Sequence, residues 1–167
     1  FAEPMEPASS PPARKIDRVV DNFVRAVRSI AKGETRFTHG PSVLEFAWTS
    51  ACNLRCVMCG QSDNPPVMKV SKEKAAPFLE KAFESVVVWN PSATSEPFLN
   101  DVDEMVRLCV EKGAYLELYT NATLLTPAVF EKVAPRIYRL TLSIDSHVPA
   151  ALERVRLPVK AAKVFPN

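Results

Sequence analysis

The sequence predicts an α/β protein built from about four βα units, preceded by one helix. Four short runs dense in β-branched and aromatic residues, typical of strands, lie at 43–48, 86–89, 115–119 and 137–144. Segments with helical periodicity separate these runs, and this alternation favours parallel βαβ units. The length of 167 residues is too short for a closed eight-unit barrel, which needs at least about 200 residues.

Composition divides the chain into three parts. Residues 1–14 are rich in Pro, Ser and Ala without a hydrophobic pattern, so we expect a disordered lead-in. Residues 15–40 are expected to form a helix and a linker, and residues 41–167 the α/β core. Apolar residues in the first helix recur at steps of three and four, which predicts one buried stripe. They are Ile16, Val19, Val20, Phe23, Val24, Val27, Ile30 and Ala31.

Capping residues define the helices of the core. They predict a helix between Ser71 and Ser85 that Pro77 kinks or begins, one from Asn100 or Asp101 to Gly113, one from Thr126-Pro127, and one from about Pro149. The second of these helices is expected to bury Val102, Val106, Cys109 and Val110.

Charge and composition exclude several function classes. The 21 basic and 19 acidic residues leave a net charge of +2 without a basic block, so electrostatic docking onto nucleic acid or a membrane surface is not expected. The chain contains no apolar run of the roughly 18–20 residues that cross a bilayer. With only 4 Gly, it also lacks the glycine-rich phosphate-binding motifs.

Three of the four cysteines form a C-x3-C-x2-C motif directly after the first predicted strand. Reactive groups of parallel α/β proteins collect at this carboxyl end of the strands. Thiolates of Cys52, Cys56 and Cys59 on one loop can converge on a metal centre. Iron–sulfur clusters usually take four Cys, so three would leave one iron open. The clustering also indicates a reducing compartment, and we expect a cytoplasmic location.

Other interpretations of this motif stay open. The three cysteines also fit one face of a helix, where they would be small buried side chains. A structural zinc site is a second alternative, and it needs a fourth ligand. That ligand would be Cys109, His39, His147 or a carboxylate. Cys56 and Cys59 alone have the spacing of a disulfide-exchange pair, although this would leave Cys52 without a role.

The segment CNLRCVMCG resembles the cluster loop of radical S-adenosylmethionine (radical SAM) enzymes, most closely the SPASM/twitch-type branch. This family has a partial (β/α)6 barrel, and residues 41–157 resemble only its N-terminal portion, about four units. The resemblance implies that Cys52, Cys56 and Cys59 bind a [4Fe-4S] cluster whose fourth iron takes S-adenosylmethionine. We therefore expect the remaining barrel units to be missing from this sequence.

Further matches follow at successive strand ends. Ser95-Glu96-Pro97 is similar to the family's Gly-Gly-Glu-Pro, residues 120–125 to its T-N-G-T-x-L, and residues 143–145 to its S-x-D. The implied cofactor-binding residues are Met58 near the adenine, Glu96 at the methionyl ammonium, Asn121 as a polar contact, and Ser143 and Asp145 at the ribose or carboxylate. Arg156 is a further candidate for the cofactor carboxylate. No protein side chain is assigned a catalytic role.

The implied activity is that of an oxidoreductase. Reductive cleavage of S-adenosylmethionine yields a 5′-deoxyadenosyl radical that abstracts hydrogen from a substrate, which in this branch is often a peptide or protein. The implied partners are S-adenosylmethionine, that substrate, and an electron donor such as flavodoxin or ferredoxin. The alternative is a non-catalytic iron–sulfur or zinc-binding module of the same fold. It is motivated by Thr94-Ser95 and Ala122, which replace family glycines.

Overall fold

The computed structural model describes residues 13–165. Its main sheet contains four parallel strands in the order β1-β3-β4-β5, and a separate antiparallel pair joins β2 and β6. The strands are β1 (Val43–Glu45), β2 (Arg55–Cys56), β3 (Val88–Asn90), β4 (Tyr115–Thr120), β5 (Ile137–Leu142) and β6 (Arg156–Leu157). The helices are α1 (Ala13–Ala31), α2 (Lys72–Ala82), α3 (Val102–Lys112), α4 (Pro127–Val133) and α5 (Pro149–Val155).

This architecture confirms the predicted fold class: an open parallel sheet with alternating helices. Four strands cannot close a barrel, so β1 and β5 are edge strands. Tyr138 and Leu142 on β5 are 60% and 43% exposed, as expected for an uncovered edge. Within residues 13–165, no helix is both long and apolar enough to span a bilayer.

The predicted caps set the helix boundaries. Ser71 begins α2, Asp101 begins α3 and Thr126 begins α4, and each side chain accepts a hydrogen bond from the backbone N–H three residues later. Gly113 ends α3 in the left-handed region at φ 62°, where a residue without Cβ avoids strain. Pro77 lies in the interior of α2, beyond its first turn.

The main core lies between the sheet and helices α2, α3 and α4. Its centre is formed by fully buried side chains, which are Trp89, Met105, Leu116, Leu118 and Val133. On α3 the buried residues are Met105, Leu108 and Cys109, whereas Val110 is 54% exposed. The prediction for Val110 was therefore wrong, because the buried face is rotated toward Met105 and Leu108. The prediction that Cys109 is a core residue is confirmed.

Helix α1 forms as predicted, but its apolar stripe is not buried. Phe23 and Ile30 are 63% and 70% exposed, and of the other apolar residues of the stripe only Val19 and Val24 are half-buried. A polar residue attaches the helix instead: the Asn22 side chain accepts from Gly40 N at 2.7 Å and donates to Gly40 O at 2.6 Å. Helical periodicity identified the helix but not the face that packs.

The first expected boundary lies close to the start of the described residues. Of the expected disordered lead-in, residues 1–14, the first twelve lie outside the described residues. The last two belong to helix α1, which begins at Ala13. After α1, residues 32–42 connect the helix to β1.

Candidate cluster and cofactor site

The cysteine loop leaves the sheet at the carboxyl end of β1 and is closed at its base by backbone contacts. Val70 N donates to Trp48 O at 2.8 Å and Ser50 N donates to Met68 O at 3.0 Å. Residues 50–68 thus form one excursion above the strand ends. The Cys motif is not helical, since Arg55 and Cys56 form strand β2, and the helix-face interpretation was therefore wrong.

A second chain segment holds the middle of this loop. In the β2–β6 pair Cys56 lies opposite Arg156, and Val57 N donates to Val155 O at 3.0 Å. Leu54 and Leu152, 3% and 0% exposed, centre a small apolar cluster beneath the pair. The sequence did not predict either short strand, because two-residue strands have no periodicity to detect.

Arg55 stabilises the loop from within. Its Nη1 donates to the backbone carbonyls of Cys52 at 2.7 Å and Leu54 at 2.8 Å, while Nε and Nη2 donate to the side chain of Asn64. A guanidinium supplies five donors in a planar fork, so one side chain can satisfy several acceptors at once. We infer that Arg55 holds the backbone at Cys52 and Leu54 in a fixed position relative to Asn64.

Each of the three sulfurs has an N–H group nearby. Asn121 Nδ2 lies 4.0 Å from Cys52 Sγ, Arg156 Nη1 lies 3.6 Å from Cys56 Sγ, and Gln61 N lies 3.5 Å from Cys59 Sγ. All three thiols are free. Among residues 13–165, no three His, Cys, Asp or Glu side chains are grouped so that they could hold a metal ion.

Burial and charge act in opposite directions on the central cysteine. Burial raises the pKa of the Cys56 thiol because a thiolate is poorly solvated there. The Arg156 guanidinium partly offsets this pKa shift by stabilising the negative sulfur. Cys52 is half-buried and Cys59 is exposed, so the three thiols range from the interior to the surface.

Glu96 is a buried carboxylate that joins the loops after β3 and β4. It is 2% exposed, its Oε1 accepts from Thr120 Oγ1 at 2.6 Å, and its Oε2 accepts from Asn121 N at 2.9 Å. Its backbone N donates to Ala51 O at 3.0 Å, which links it to the residue before Cys52. Burial raises the pKa of Glu96, and the hydrogen bonds from Thr120, Asn121 and Phe98 limit that rise.

Asn121 directs its side chain toward the cysteine loop. Its Nδ2 donates to Asn53 Oδ1 at 2.9 Å, and its Oδ1 accepts from Thr123 Oγ1 at 2.6 Å. Asn53 Nδ2 in turn donates to Thr123 Oγ1 at 2.7 Å. The triad of Asn53, Asn121 and Thr123 therefore connects the residue after Cys52 to the turn after β4.

A cavity of about 670 Å³ lies between the cysteine loop and the strand ends. A volume of this size is typical of sites for small molecules and cofactors. The residues from the sequence prediction that line it are Cys52, Cys56, Met58, Cys59, Glu96, Asn121 and Ser143. Asp145 is not among the lining residues; its carboxylate is paired with Arg156, which does line the cavity.

The residues that replace family glycines have different surroundings. Thr94 and Ser95 line the cavity. Ala122 adopts φ 63°, a conformation that favours glycine, but its methyl group is buried in the small apolar cluster with Leu54 and Leu152 and does not line the cavity. The Ala122 side chain therefore does not narrow the cavity.

Sequence reasoning assigned no role to several residues that shape this site. Asn53, Arg55 and Gln61 all bond across the loop, and Gln61 Nε2 donates to Ser50 O at 3.0 Å and to Thr94 O at 2.8 Å. Asn53 and Arg55 lie inside the cysteine motif, and this position could have identified them as site residues. Nothing in the sequence around Gln61 indicates a role in the site. His39 lines a different cavity, beside α1, and His147 is exposed.

Comparisons with known proteins identify one curated relative and several solved structures of the same fold. No family model matches the chain. It is 32% identical over 115 residues to an AdoMet-dependent heme synthase of Methanosarcina barkeri (strain Fusaro / DSM 804), over 65% of this chain and 32% of that protein. The chain thus spans about a third of the length of this curated relative.

Solved structures share the architecture at low identity. Streptococcus suis SuiB bound to precursor peptide SuiA superposes with a TM-score of 0.60 at 19% identity, covering 86% of this chain and 33% of SuiB. BtrN in complex with AdoMet and 2-DOIA superposes with a TM-score of 0.53 at 18% identity, covering 74% of this chain and 54% of BtrN. At these identities the likeness establishes the fold.

Proposed function

We propose that the chain is part of a radical SAM protein, and that Cys52, Cys56 and Cys59 bind one [4Fe-4S] cluster. The donor set fits, since thiolates are the usual ligands of such clusters and three of them leave one iron free. The observation that carries the proposal is that the three free thiols line one cavity together with Glu96 and Asn121. N–H groups near each sulfur would offset the negative charge of the thiolates.

We further propose that the same cavity binds S-adenosylmethionine. Two observations support this: SuiB has been crystallised with S-adenosylmethionine, and this chain's cavity has a suitable volume. Glu96 already accepts three hydrogen bonds, two on Oε1 and one on Oε2, so the second lone pair of Oε2 can still accept from an ammonium group. Met58 and Ser143 would provide an apolar and a polar contact on the cavity wall.

When bound, the reduced cluster would supply the electron that cleaves S-adenosylmethionine to methionine and a 5′-deoxyadenosyl radical. The chain's own residues would bind and orient the cofactor and limit access of water. The Glu96 network would hold the loops after β3 and β4 in fixed relation, and the Arg55 contacts would hold the cysteine loop over them. The substrate class proposed for testing is a peptide or protein, in line with SuiB and its bound precursor peptide.

Anaerobic turnover tests this function. The chain is loaded with iron and sulfide, reduced with dithionite, and incubated with S-adenosylmethionine; we expect 5′-deoxyadenosine and methionine in equal amounts. Cys109→Ala is the matched control, because Cys109 is buried in the main core away from the cavity. Cys56→Ala should yield no product, and a wild-type chain that forms a cluster but no 5′-deoxyadenosine would contradict the proposal.

A second candidate is a non-catalytic iron–sulfur or zinc-binding module. It is favoured by Thr94 and Ser95, whose side chains occupy cavity wall that glycines would leave open. Cluster formation without cleavage of S-adenosylmethionine would support the iron–sulfur form. One zinc per chain with no cluster absorbance would support the zinc form. The variant Thr94→Gly/Ser95→Gly should then gain cofactor binding if side-chain bulk is the obstacle.

A further inference from the structure

Arg156 occupies a fixed position between a cysteine sulfur and a carboxylate. Its Nη1 lies 3.6 Å from Cys56 Sγ. On its other edge, Nε lies 2.6 Å from Asp145 Oδ2 and Nη2 donates to Asp145 Oδ1 at 3.1 Å. The guanidinium therefore contacts Asp145 with two nitrogens and the sulfur with the third.

The backbone reinforces this arrangement. Arg156 lies in β6 directly opposite Cys56 in β2, so the strand register sets the distance between the two side chains. The Arg156 side chain is 14% exposed and that of Asp145 is 37% exposed, so water screens the contact only in part. Arginine stays protonated in proteins, and the site therefore contains a permanent positive charge.

The environment of Cys56 differs from that of the other two cysteines. The N–H groups near Cys52 and Cys59 belong to a neutral side-chain amide and a backbone amide. The group near Cys56 is a cation. Reduction of a cluster adds negative charge that spreads onto the sulfurs, and a nearby cation lowers the energy of the reduced form more than that of the oxidised form.

We propose that Arg156 raises the reduction potential of a cluster bound through Cys56, and that Asp145 is a positioning residue that holds Arg156 against the sulfur. This inference rests on the proposed cluster. It assigns Asp145 and Arg156 to the cysteine ligand, whereas the family resemblance implies contacts with the cofactor. Arg156 thereby favours the transfer of an electron to the cluster from an external donor such as dithionite, which is oxidised in this step.

A redox titration of the cluster-loaded chain, followed by electron paramagnetic resonance without S-adenosylmethionine, tests the inference. Arg156→Met removes the charge but keeps an unbranched side chain, and Arg156→Lys keeps the charge but loses the planar fork. Arg107→Met is the matched control, since it removes the same charge from the exposed face of α3. Each variant is compared with the wild type at the same ionic strength.

We expect Arg156→Met to lower the ratio of reduced to oxidised cluster at a fixed potential about tenfold, which is 59 mV for a one-electron couple. Arg156→Lys should fall between Arg156→Met and the wild type, and Arg107→Met should match the wild type. If Arg156→Met fails to load a cluster, the reduction potential of the cluster in Arg156→Lys must still be lower than that in Arg107→Met.

Equal potentials in the Arg156 variants and Arg107→Met would overturn this inference and leave the proposed function intact. A shift that occurs only after S-adenosylmethionine is added would also overturn it, because Arg156 would then act on the cofactor. A wild-type chain that assembles no cluster would contradict the proposed function and this inference together.

Discussion

The main core and the cysteine loop are held together by different forces. In the core, Trp89, Met105 and Leu116 are fully buried among apolar neighbours from three helices and the sheet. The cysteine loop has a much smaller apolar cluster and depends on individual hydrogen bonds, such as those from Arg55 and Asn121. Burial of a large side chain stabilises by about 1.5–3 kcal/mol, but a single hydrogen bond by only about 1 kcal/mol. The site is therefore expected to open before the fold unfolds.

The largest expected effect is in the core. Leu116→Ala deletes a fully buried side chain from β4, so we expect the free energy of unfolding to fall by about 2–5 kcal/mol in a urea titration. Met58→Ala, at a site that is 58% exposed in the cysteine loop, should change it by no more than about 0.5 kcal/mol. Similar losses in the two variants would mean that the core does not dominate stability.

A smaller, local effect is expected from Arg55→Met. It removes hydrogen bonds to two partly buried loop carbonyls and to the exposed side chain of Asn64, which we expect to cost about 1–2 kcal/mol of local stability. Amide hydrogen exchange of residues 52–64 should accelerate, while amides of β4 keep the wild-type rate. Equal acceleration in both regions would show that the loop and the core unfold as one unit.

Loss of one hydroxyl should have a still smaller effect. Thr123→Val keeps the side-chain shape but removes the group that bonds both Asn53 and Asn121, so we expect a cost of about 1 kcal/mol. A double-mutant cycle with Asn53→Ala measures the coupling directly. Strictly additive effects would argue against a connected triad.

The smallest expected effect is a pH dependence centred on Glu96. Because burial raises the pKa of Glu96 above its unfolded value, the folded state binds this proton more tightly. Protonated Glu96 therefore contributes its full stabilisation of the folded state below the pKa that Glu96 has in the unfolded chain. This contribution is lost as pH rises through the pKa that Glu96 has in the folded state. Relative to Glu96→Gln, the wild type should lose stability as pH rises above about 4.3, the ordinary pKa of a Glu carboxyl. A gain in stability as pH rises would contradict the sign of the shift.

The same contrast explains what the sequence could predict. Strands, helix caps and the core position of Cys109 follow from local composition and periodicity, and these predictions are confirmed. The exposed stripe of α1 was mispredicted because periodicity reports an apolar face but not whether another element covers it. The contacts of Gln61 and Asn121 join segments 33 and 68 residues apart, and no local pattern encodes such pairs.

Cluster loading of cysteine variants tests whether Cys52, Cys56 and Cys59 are the cluster ligands. Iron and sulfide are quantified per chain after anaerobic loading, and the reduced protein is examined by electron paramagnetic resonance. We expect one [4Fe-4S] cluster in the wild type and in Cys109→Ala, and loss of that cluster in Cys52→Ala, Cys56→Ala and Cys59→Ala. A wild-type chain that binds no cluster, or three variants that each retain it in full, would overturn the assignment of these cysteines as cluster ligands.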